Sequence, residues 1–300
     1  MIAGETAVGK SEIAMAVAER LSGEIVIADS RQVYRGLDTG TAKPSPEERA
    51  QVAHHLLDVV EVGEPYTAAD FARDAQSAIV EIEERGGVAV VCGGTGFYLS
   101  ALAGSLDDLP VVSPDTRARL SAIPLESRHA RLAEVDPEAA ARLHPHDRQR
   151  IERALVFWLE TGAPISSRQR GGEPALAHVG VRVTRPRPEI HARIEARLDR
   201  MLSRGLEEEA RGFWARGFSP DSPGLDTIGY QEWWPYFEGT IDRATVRARI
   251  LAATRRYAKR QATWFRHQGS YEAISAEAAV EEIPRVWRTA VAEHATEGGR

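Results

Sequence analysis

The chain contains little cysteine, little lysine and no long apolar run. Its single cysteine, Cys92, can form neither an internal disulfide nor a cysteine-rich zinc site, and this favours a reducing, cytoplasmic setting. No stretch approaches the roughly 20 apolar residues that a membrane-spanning helix needs. A glycine-rich motif begins at Gly4, which leaves no space before it for a signal peptide. We therefore expect a cytoplasmic protein without a membrane partner.

The basic residues are mostly arginine and are unevenly distributed. Only three of the 38 basic residues are lysine, and the net charge of the 300-residue chain is −6. Residues 243–268 nevertheless include eight basic residues and no acidic one. This segregation indicates an anionic partner that binds at one place.

A helix is predicted over most of this basic segment, at about 245–265. Arg249, Arg256 and Arg260 share one stripe of it, at helical spacing. The aromatic side chains on another stripe are interpreted as core packing. They belong to Tyr257 and Trp264.

The glycine-rich motif fits the pattern G-x-x-x-x-G-K-[ST] and is followed by an amphipathic helical pattern at Lys10–Leu21. Such a loop turns backbone N–H groups toward phosphate oxygens, its lysine adds a positive charge, and its serine can hold Mg²⁺. Only three residues precede the motif as a first strand, so we expect the natural reading frame to begin upstream. The predicted diphosphate or nucleotide site comprises Gly4, Glu5, Thr6, Ala7, Val8, Gly9, Lys10 and Ser11.

Short apolar runs alternate with helical patterns after the motif. This alternation is typical of βαβ units with a buried parallel sheet. The predicted strands are 24–28, 55–60, 88–92 and 179–183, and a second crossover helix is predicted at 71–82.

The predicted fold class is therefore α/β, a P-loop NTPase-like parallel sheet flanked by helices, with an additional all-helical insertion domain. We assign 1–185 to the core, including a lid-like helical segment at about 113–146. We assign 186–241 to the helical insertion, and 242–300 to the basic helix and a return to the core. An acidic run at 207–209 is interpreted as an exposed helix face.

Two further clusters follow predicted strands and should meet the phosphate loop at one edge of the sheet. Residues 28–34 contain Asp29, and residues 93–98 contain Thr95 between glycines. Taken alone, the first cluster could be a helix cap and the second a tight turn. The strand before Gly93 ends without the aspartate that organises Mg²⁺ in many nucleotide hydrolases, which argues against an ordinary ATPase or kinase.

Together with five further segments, these clusters resemble bacterial tRNA dimethylallyltransferases, in order along nearly the whole chain. The resemblance implies transfer of a dimethylallyl group from dimethylallyl diphosphate to the exocyclic amine of the adenosine just 3′ of the anticodon. It also implies that the partner is tRNA, bound through its anticodon stem-loop. We expect the protein to bind it as a monomer. The further segments are 40–44, 54–58, 144–155, 228–232 and 255–266.

The resemblance implies mutually consistent roles for the clustered residues. Asp29 would accept the proton of the amine, and Thr95 would contact the tRNA opposite it. Lys10, the loop amides from Thr6 onward and Mg²⁺ held by Ser11 would stabilise the leaving diphosphate. Glu5 stands where the family usually has proline, so its carboxylate should point away from the diphosphate.

The implied tRNA path uses residues from several segments. Gln32 has the donor and acceptor pair needed to read an adenine edge. The predicted tRNA contacts are Asp29, Ser30, Arg31, Gln32, Thr95, Arg117, Gln149, Arg150, Ile151, Glu152, Arg153, Gly229, Tyr230, Arg256, Lys259, Arg260 and Arg266.

Neighbouring histidines at 54–55 and 144–146 are interpreted as hydrogen-bonded residues and not as metal ligands.

Two other functions compete with prenyl transfer. A small-molecule kinase could use the same loop for ATP, but the basic helix would then have no role. A noncatalytic RNA-binding protein would explain the basic helix, but not the three clusters at one sheet edge.

Overall fold

The computed structural model describes residues 1–104, 112–167, 177–267 and 271–297. These residues contain a six-stranded sheet in the order β3-β2-β4-β1-β5-β6, with every pair parallel. The predicted α/β fold class is confirmed. The strands are β1 (Ile2–Ala3), β2 (Gly23–Ile27), β3 (His54–His55), β4 (Val88–Gly93), β5 (Val181–Thr184) and β6 (Glu272–Ser275).

Two strands differ from the predictions. The apolar run at 55–60 forms a strand only at its start, because Leu56 and Asp58 have positive φ angles of 63° and 57°. The Asp58 carboxylate instead accepts a hydrogen bond from the ammonium of Lys43. The strand β6 was not predicted, since only Ile274 of its four residues is buried and it has no apolar pattern.

Thirteen α-helices and three short 3-10 turns occur among the described residues. The crossover helix predicted at Lys10–Leu21 is confirmed residue for residue. The helices are α1 (Lys10–Leu21), α2 (Pro46–Gln51), α3 (Ala68–Glu84), α4 (Gly96–Leu102), α5 (Pro114–Ser121), α6 (Arg128–Val135), α7 (Pro137–Arg142), α8 (Arg148–Thr161), α9 (Arg187–Ser203), α10 (Leu206–Ala215), α11 (Trp234–Phe237), α12 (Arg243–His267) and α13 (Ala279–Glu297).

The crossover helices show how local sequence sets the elements. α1 begins directly after the phosphate loop and buries Ile13 and Val17 in the core. α3 begins at a capping box in which Thr67 and Asp70 each bind the other's backbone N–H, and it buries Phe71. Helical spacing of apolar residues therefore turns one face of each helix into the core.

The chain divides into two compact units. Met1–Ala103 and Leu176–Arg300 form the sheet unit, and Gly104–Ala175 form the helical unit. This division differs from the one drawn from the sequence. Residues 186–241 belong to the sheet unit because Ile190, Ile194 and Phe213 are part of its core.

The helical unit has a small apolar core of its own. Leu132 and Leu155 are fully buried there, together with Ile151. The segment 113–146 therefore packs within this unit and does not belong to the sheet core. No helix among the described residues combines the length and apolar composition that crossing a bilayer requires.

Candidate active site

Three loops meet at the carboxyl edge of the sheet. The phosphate loop follows β1, residues 28–34 follow β2, and residues 93–98 begin at the last residue of β4. β4 lies between β1 and β2 in the sheet, so its loop lies between the other two. The predicted convergence of the three clusters is therefore confirmed, and it is set by strand order.

The phosphate loop has the backbone of an anion-binding turn. Gly9 adopts a φ of 106°, which favours glycine, and Ala7 adopts a φ of 64°. The Lys10 ammonium donates to the carbonyl of Glu5 at 2.8 Å. Within the described part of the chain, the N–H groups of Ala7, Gly9, Lys10 and Ser11 have no protein acceptor. They remain available for an anion at the start of α1.

Three arginines from the region of β5 and α9 contact carbonyl and hydroxyl oxygens of this loop. Arg185 Nε donates to the Val8 carbonyl at 3.0 Å, and Arg193 Nε to the Ala7 carbonyl at 2.8 Å. Arg197 Nη1 approaches the Thr6 hydroxyl at 3.5 Å. None of the three was predicted. The available signal was the spacing of Arg193 and Arg197, one turn apart on a helix that follows a strand of the same sheet.

Burial changes the acid-base properties of the loop. Poor solvation lowers the pKa of Lys10 to about 8, partly offset by the nearby Asp29 carboxylate. Burial also lowers the pKa of Arg197, although the guanidinium remains charged. The pKa of Glu5 is raised by burial, and Lys10 and Arg187 oppose that rise.

Asp29 and Thr95 lie together on the loops that follow β2 and β4. One Asp29 oxygen accepts the N–H of Arg31 at 2.8 Å, and the other has no donor among the described residues. The Thr95 hydroxyl accepts the N–H of Ser30 at 3.0 Å, which ties the two loops together. Tyr257 of α12 lies nearby: burial raises its pKa to about 12, the Asp29 charge adds to the rise, and Arg31 and Thr95 oppose it.

Gln32, predicted to read an adenine edge, makes two hydrogen bonds within the protein. The side chain is buried, and its Nε2 donates to the carbonyls of Thr41 at 3.0 Å and Ala42 at 3.2 Å. The donor needed to read an adenine edge is therefore already used within the protein. Gln32 holds the 40–42 loop in place beside the site.

Gly229 and Tyr230, predicted as tRNA contacts, are both buried. The Tyr230 hydroxyl binds the Glu209 carboxylate and accepts the N–H of Gly40 at 3.0 Å. Glu209 also accepts the N–H of Thr39 at 2.9 Å, so it is not part of an exposed acidic face. Tyr230 thus supports the 38–40 turn and offers no surface to RNA.

One stripe of α12 packs onto the phosphate loop and the glycine turn after β4. The buried side chain of Gln261 accepts the N–H of Thr6 at 2.8 Å and donates to the carbonyl of Gly94 at 2.7 Å. Trp264 lies so close to Gly96 that a Cβ there would be 2.6 Å from the indole. Trp264 packs on the core as predicted, whereas Tyr257 faces the site, and Gln261 was not predicted.

The basic residues of α12 form two sets. Arg243, Arg247 and Arg255 pair with acids of α9 and α10, at 2.8 Å from Glu207, 2.8 Å from Asp199 and 3.7 Å from Glu195, respectively. The second set is exposed and forms no ion pair within the described residues. We call it the basic face, and it comprises Arg249, Arg256, Lys259, Arg260 and Arg266.

Comparison with known proteins identifies the family. The family described as IPPT, IPP transferase, matches residues 32–268. The tRNA dimethylallyltransferase of Halorhodospira halophila is 49% identical over 276 residues, which cover 89% of each chain. This chain belongs to the IPP transferase family.

Other relatives and solved structures agree with this assignment. The tRNA dimethylallyltransferase of Chloroflexus aurantiacus is 44% identical, over 90% of this chain and 93% of its own length. The tRNA isopentenylpyrophosphate transferase of Bacillus halodurans has a TM-score of 0.74 and 34% identity, covering 100% of this chain and 98% of its own. A eukaryotic dimethylallyltransferase acting on tRNA has a TM-score of 0.78 and 26% identity, covering 98% and 76%. These solved structures share the fold over nearly the whole of this chain.

The remaining residues that the family resemblance pointed to lie in the helical unit. Arg117 on α5 and Gln149, Arg150 and Arg153 on α8 are exposed there. Ile151 is 2% exposed and belongs to the core of this unit, so it is not available to RNA. The Glu152 carboxylate is bound by Arg128.

His54 and His55 of this IPP transferase family member are hydrogen-bonded, as the sequence predicted. His54 Nδ1 lies 2.8 Å from the Val52 carbonyl, and His55 Nε2 lies 2.6 Å from the Glu24 carboxylate. In the described ranges no group of three histidine, cysteine or acidic residues is arranged to hold a metal.

Proposed function

We propose that this chain transfers a dimethylallyl group from dimethylallyl diphosphate to the exocyclic amine of the adenosine immediately 3′ of the anticodon in tRNA, and releases diphosphate. One observation carries the proposal: an anion-receptive loop and the free carboxylate oxygen of Asp29 lie at the same edge of the sheet. The relatives named tRNA dimethylallyltransferase support the reaction. The eukaryotic enzyme described as acting on tRNA supports the substrate.

The phosphate loop stabilises the leaving group. When the allylic C–O bond breaks, the diphosphate takes both electrons and its negative charge increases. The free N–H groups of Ala7, Gly9 and Ser11 are fixed in position before the reaction, as is the ammonium of Lys10, so they require little reorganisation. The Thr6 N–H is not among these donors, because Gln261 already binds it.

Asp29 accepts the proton. The lone pair of an adenine amine is delocalised into the ring, so removal of its proton as the N–C bond forms assists attack. The Arg31 N–H fixes one oxygen of Asp29 and leaves the other free for this purpose. Thr95, held against Ser30, positions the amine from the opposite loop.

Mg²⁺ fits the residues at the loop. The Ser11 side chain is exposed in the first turn of α1 and makes no hydrogen bond within the described chain. Mg²⁺ usually takes one or two protein ligands and completes its shell with phosphate oxygens and water. Ser11 would hold the ion, and the bound ion would neutralise charge on the diphosphate.

The basic face of α12 binds the RNA backbone. Its five cations are exposed and unpaired, which is the state that RNA phosphates require. The target base must be extruded from the anticodon loop, at a cost of a few kcal/mol. Further RNA contacts come from exposed residues of the helical unit, Arg117, Gln149, Arg150 and Arg153.

One chain carries the phosphate loop, Asp29 and these RNA-binding residues. It therefore acts as a monomer, in the cytoplasm.

The experiment supplies labelled dimethylallyl diphosphate and Mg²⁺ to the purified protein, with an unmodified tRNA that has adenosine 3′ of the anticodon. We expect label on that adenosine after digestion, and none on a matched tRNA with guanosine there. Asp29→Asn should lower the rate by about 100-fold or more. Asp221→Asn, the same change on an exposed loop, should not alter it.

Two results would reject parts of this proposal. Full activity of Asp29→Asn would remove the role of Asp29 but keep the reaction. Absence of label with the wild type, together with release of γ-phosphate from ATP that depends on a small molecule, would favour the kinase.

A further inference from the structure

Gln261 connects two loops of the site through one amide. The side chain is 7% exposed, and its two hydrogen bonds reach residues that are 255 and 167 positions away in the sequence. Its oxygen accepts the N–H of Thr6 in the phosphate loop, and its nitrogen donates to the carbonyl of Gly94, next to Thr95. The amide therefore fixes the distance between the diphosphate loop and the turn that carries Thr95.

The turn after β4 is shaped to receive this helix. A Cβ on Gly94 would lie 2.4 Å from the Gln261 nitrogen, so only glycine leaves space for the amide. Trp264 fills the corresponding space at Gly96, and Tyr257 lies near Asp29 and Thr95. Three successive turns of α12 thus contact the site.

The same helix carries the basic face. Lys259 and Arg260 directly precede Gln261 in sequence, and Arg256 lies just over one turn before it. Consecutive turns of a helix move together because their backbone hydrogen bonds connect them. A partner that holds the basic face therefore also holds the amide of Gln261.

We propose that Gln261 is a positioning residue that couples RNA binding on the basic face to diphosphate binding in the phosphate loop. This inference rests on the proposed function. RNA that holds α12 keeps Thr6 in its observed position, so that the free N–H groups of Ala7 and Gly9 remain directed to one anion. By linkage, bound diphosphate must strengthen RNA binding by the same factor.

The test measures how much RNA tightens diphosphate binding. Inorganic diphosphate with Mg²⁺ is titrated by calorimetry into the full chain, with and without a saturating unmodified anticodon stem-loop. Inorganic diphosphate has no prenyl group, so no reaction occurs during the titration. For the wild type we expect the stem-loop to lower the Kd of diphosphate by about ten-fold.

Gln261→Leu removes both hydrogen bonds with little change in volume, and the ten-fold factor should fall close to one. Gln261→Glu keeps the acceptor for Thr6 but loses the donor to Gly94, so an intermediate factor is expected. This second variant decides the matter if the leucine variant does not fold, as judged by its thermal melt. Gln76→Leu is the matched control, because Gln76 is exposed on α3.

A purely structural role would lower the melting temperature and leave the coupling factor unchanged. A wild-type factor in folded Gln261→Leu, or a factor of one in the wild type, would overturn the inference. Either of these two overturning results is compatible with transfer of label to tRNA by the wild type. Absence of that transfer would instead reject the proposed function itself. In steady state we expect Gln261→Leu to raise the KM for dimethylallyl diphosphate at saturating tRNA.

Discussion

The phosphate loop and the basic face of α12 are two cationic regions of the sheet unit, and they are built in different ways. Around the loop, the cations are half-buried and bound to protein oxygens, as Lys10 is to Glu5, Arg185 to Val8 and Arg193 to Ala7. On the basic face, Arg256 and Arg260 are exposed and have no anionic partner among the described residues.

The difference fits the two anions of the proposed reaction, a diphosphate at the loop and RNA at the basic face. A diphosphate is small, and its charge changes during the reaction, so fixed donors in a poorly solvated site stabilise it best. An RNA backbone is long and deformable, and it is bound by displacing counterions from exposed cations. Salt should therefore weaken binding at the basic face far more than at the loop.

The largest expected effect is at the loop. Lys10→Met should lower kcat/KM for prenyl transfer by about 100-fold or more, because the leaving diphosphate loses a half-buried, poorly solvated positive charge. The loss should be similar at 50 and 300 mM salt in labelled-transfer assays. A loss that disappears at high salt would mean that Lys10 acts as a surface charge. The proposed difference between the phosphate loop and the basic face would then be wrong.

The next largest effect is at the basic face. Arg256→Gln combined with Arg260→Gln should weaken tRNA binding by roughly ten-fold and flatten the plot of log affinity against log salt by about two units. Filter binding across a salt series measures both quantities.

The matched control is the double change Arg247→Gln and Arg255→Gln on the paired set. It should leave the salt slope unchanged and cost at most about 1 kcal/mol of stability, since its ion pairs are partly exposed. Equal slopes for the two double variants would remove the distinction between the paired set and the basic face.

The pH dependence of diphosphate binding gives a third, smaller effect. The pKa of Lys10 is about 8 without ligand, and a bound anion raises it, so binding takes up a proton near that pH. The affinity for dimethylallyl diphosphate should fall as pH rises through 8, by up to about ten-fold per unit. Calorimetry in two buffers of different ionisation enthalpy measures the proton uptake.

Lys10→Met supplies the baseline for this experiment, because it retains any titration of the ligand itself. The same profile in both proteins would show that Lys10 does not titrate in this range.

The smallest effect comes from converting a paired cation into a free one. Glu195→Gln removes the carboxylate that faces Arg247 and Arg255. We expect tRNA affinity to rise by about three-fold and the salt slope to steepen by at most about one unit. An unchanged slope would show that Arg255 does not reach the RNA even when it is unpaired.

Several features of the site were accessible from the sequence because they depend on short-range patterns. The spacing of Gly4, Gly9 and Lys10 predicted the phosphate loop, and apolar periodicity predicted α1 and α12. The run of basic residues at 243–268 located the basic helix. It could not separate the paired set from the basic face, because the neutralising acids come from α9 and α10.

Other features could not be predicted, because a polar side chain forms hydrogen bonds with another segment of the chain. Gln32 and Tyr230 have the right chemistry to contact RNA, yet folding uses their polar groups to hold the 38–42 loop. The apolar run at 55–60 is not a strand beyond His55, because Asp58 has a positive φ angle and binds Lys43.

The sequence by itself determined the phosphate loop, its helix and the alternation of strands and helices that gives a parallel sheet. These depend on backbone preferences and periodicities that act over a few residues. Only the tertiary structure decided which polar groups remain free for substrates and which become supports, as with Gln261 and Arg193. The physical reason is that a buried polar group must be hydrogen-bonded, and its partner is determined by packing between segments that lie far apart in the chain.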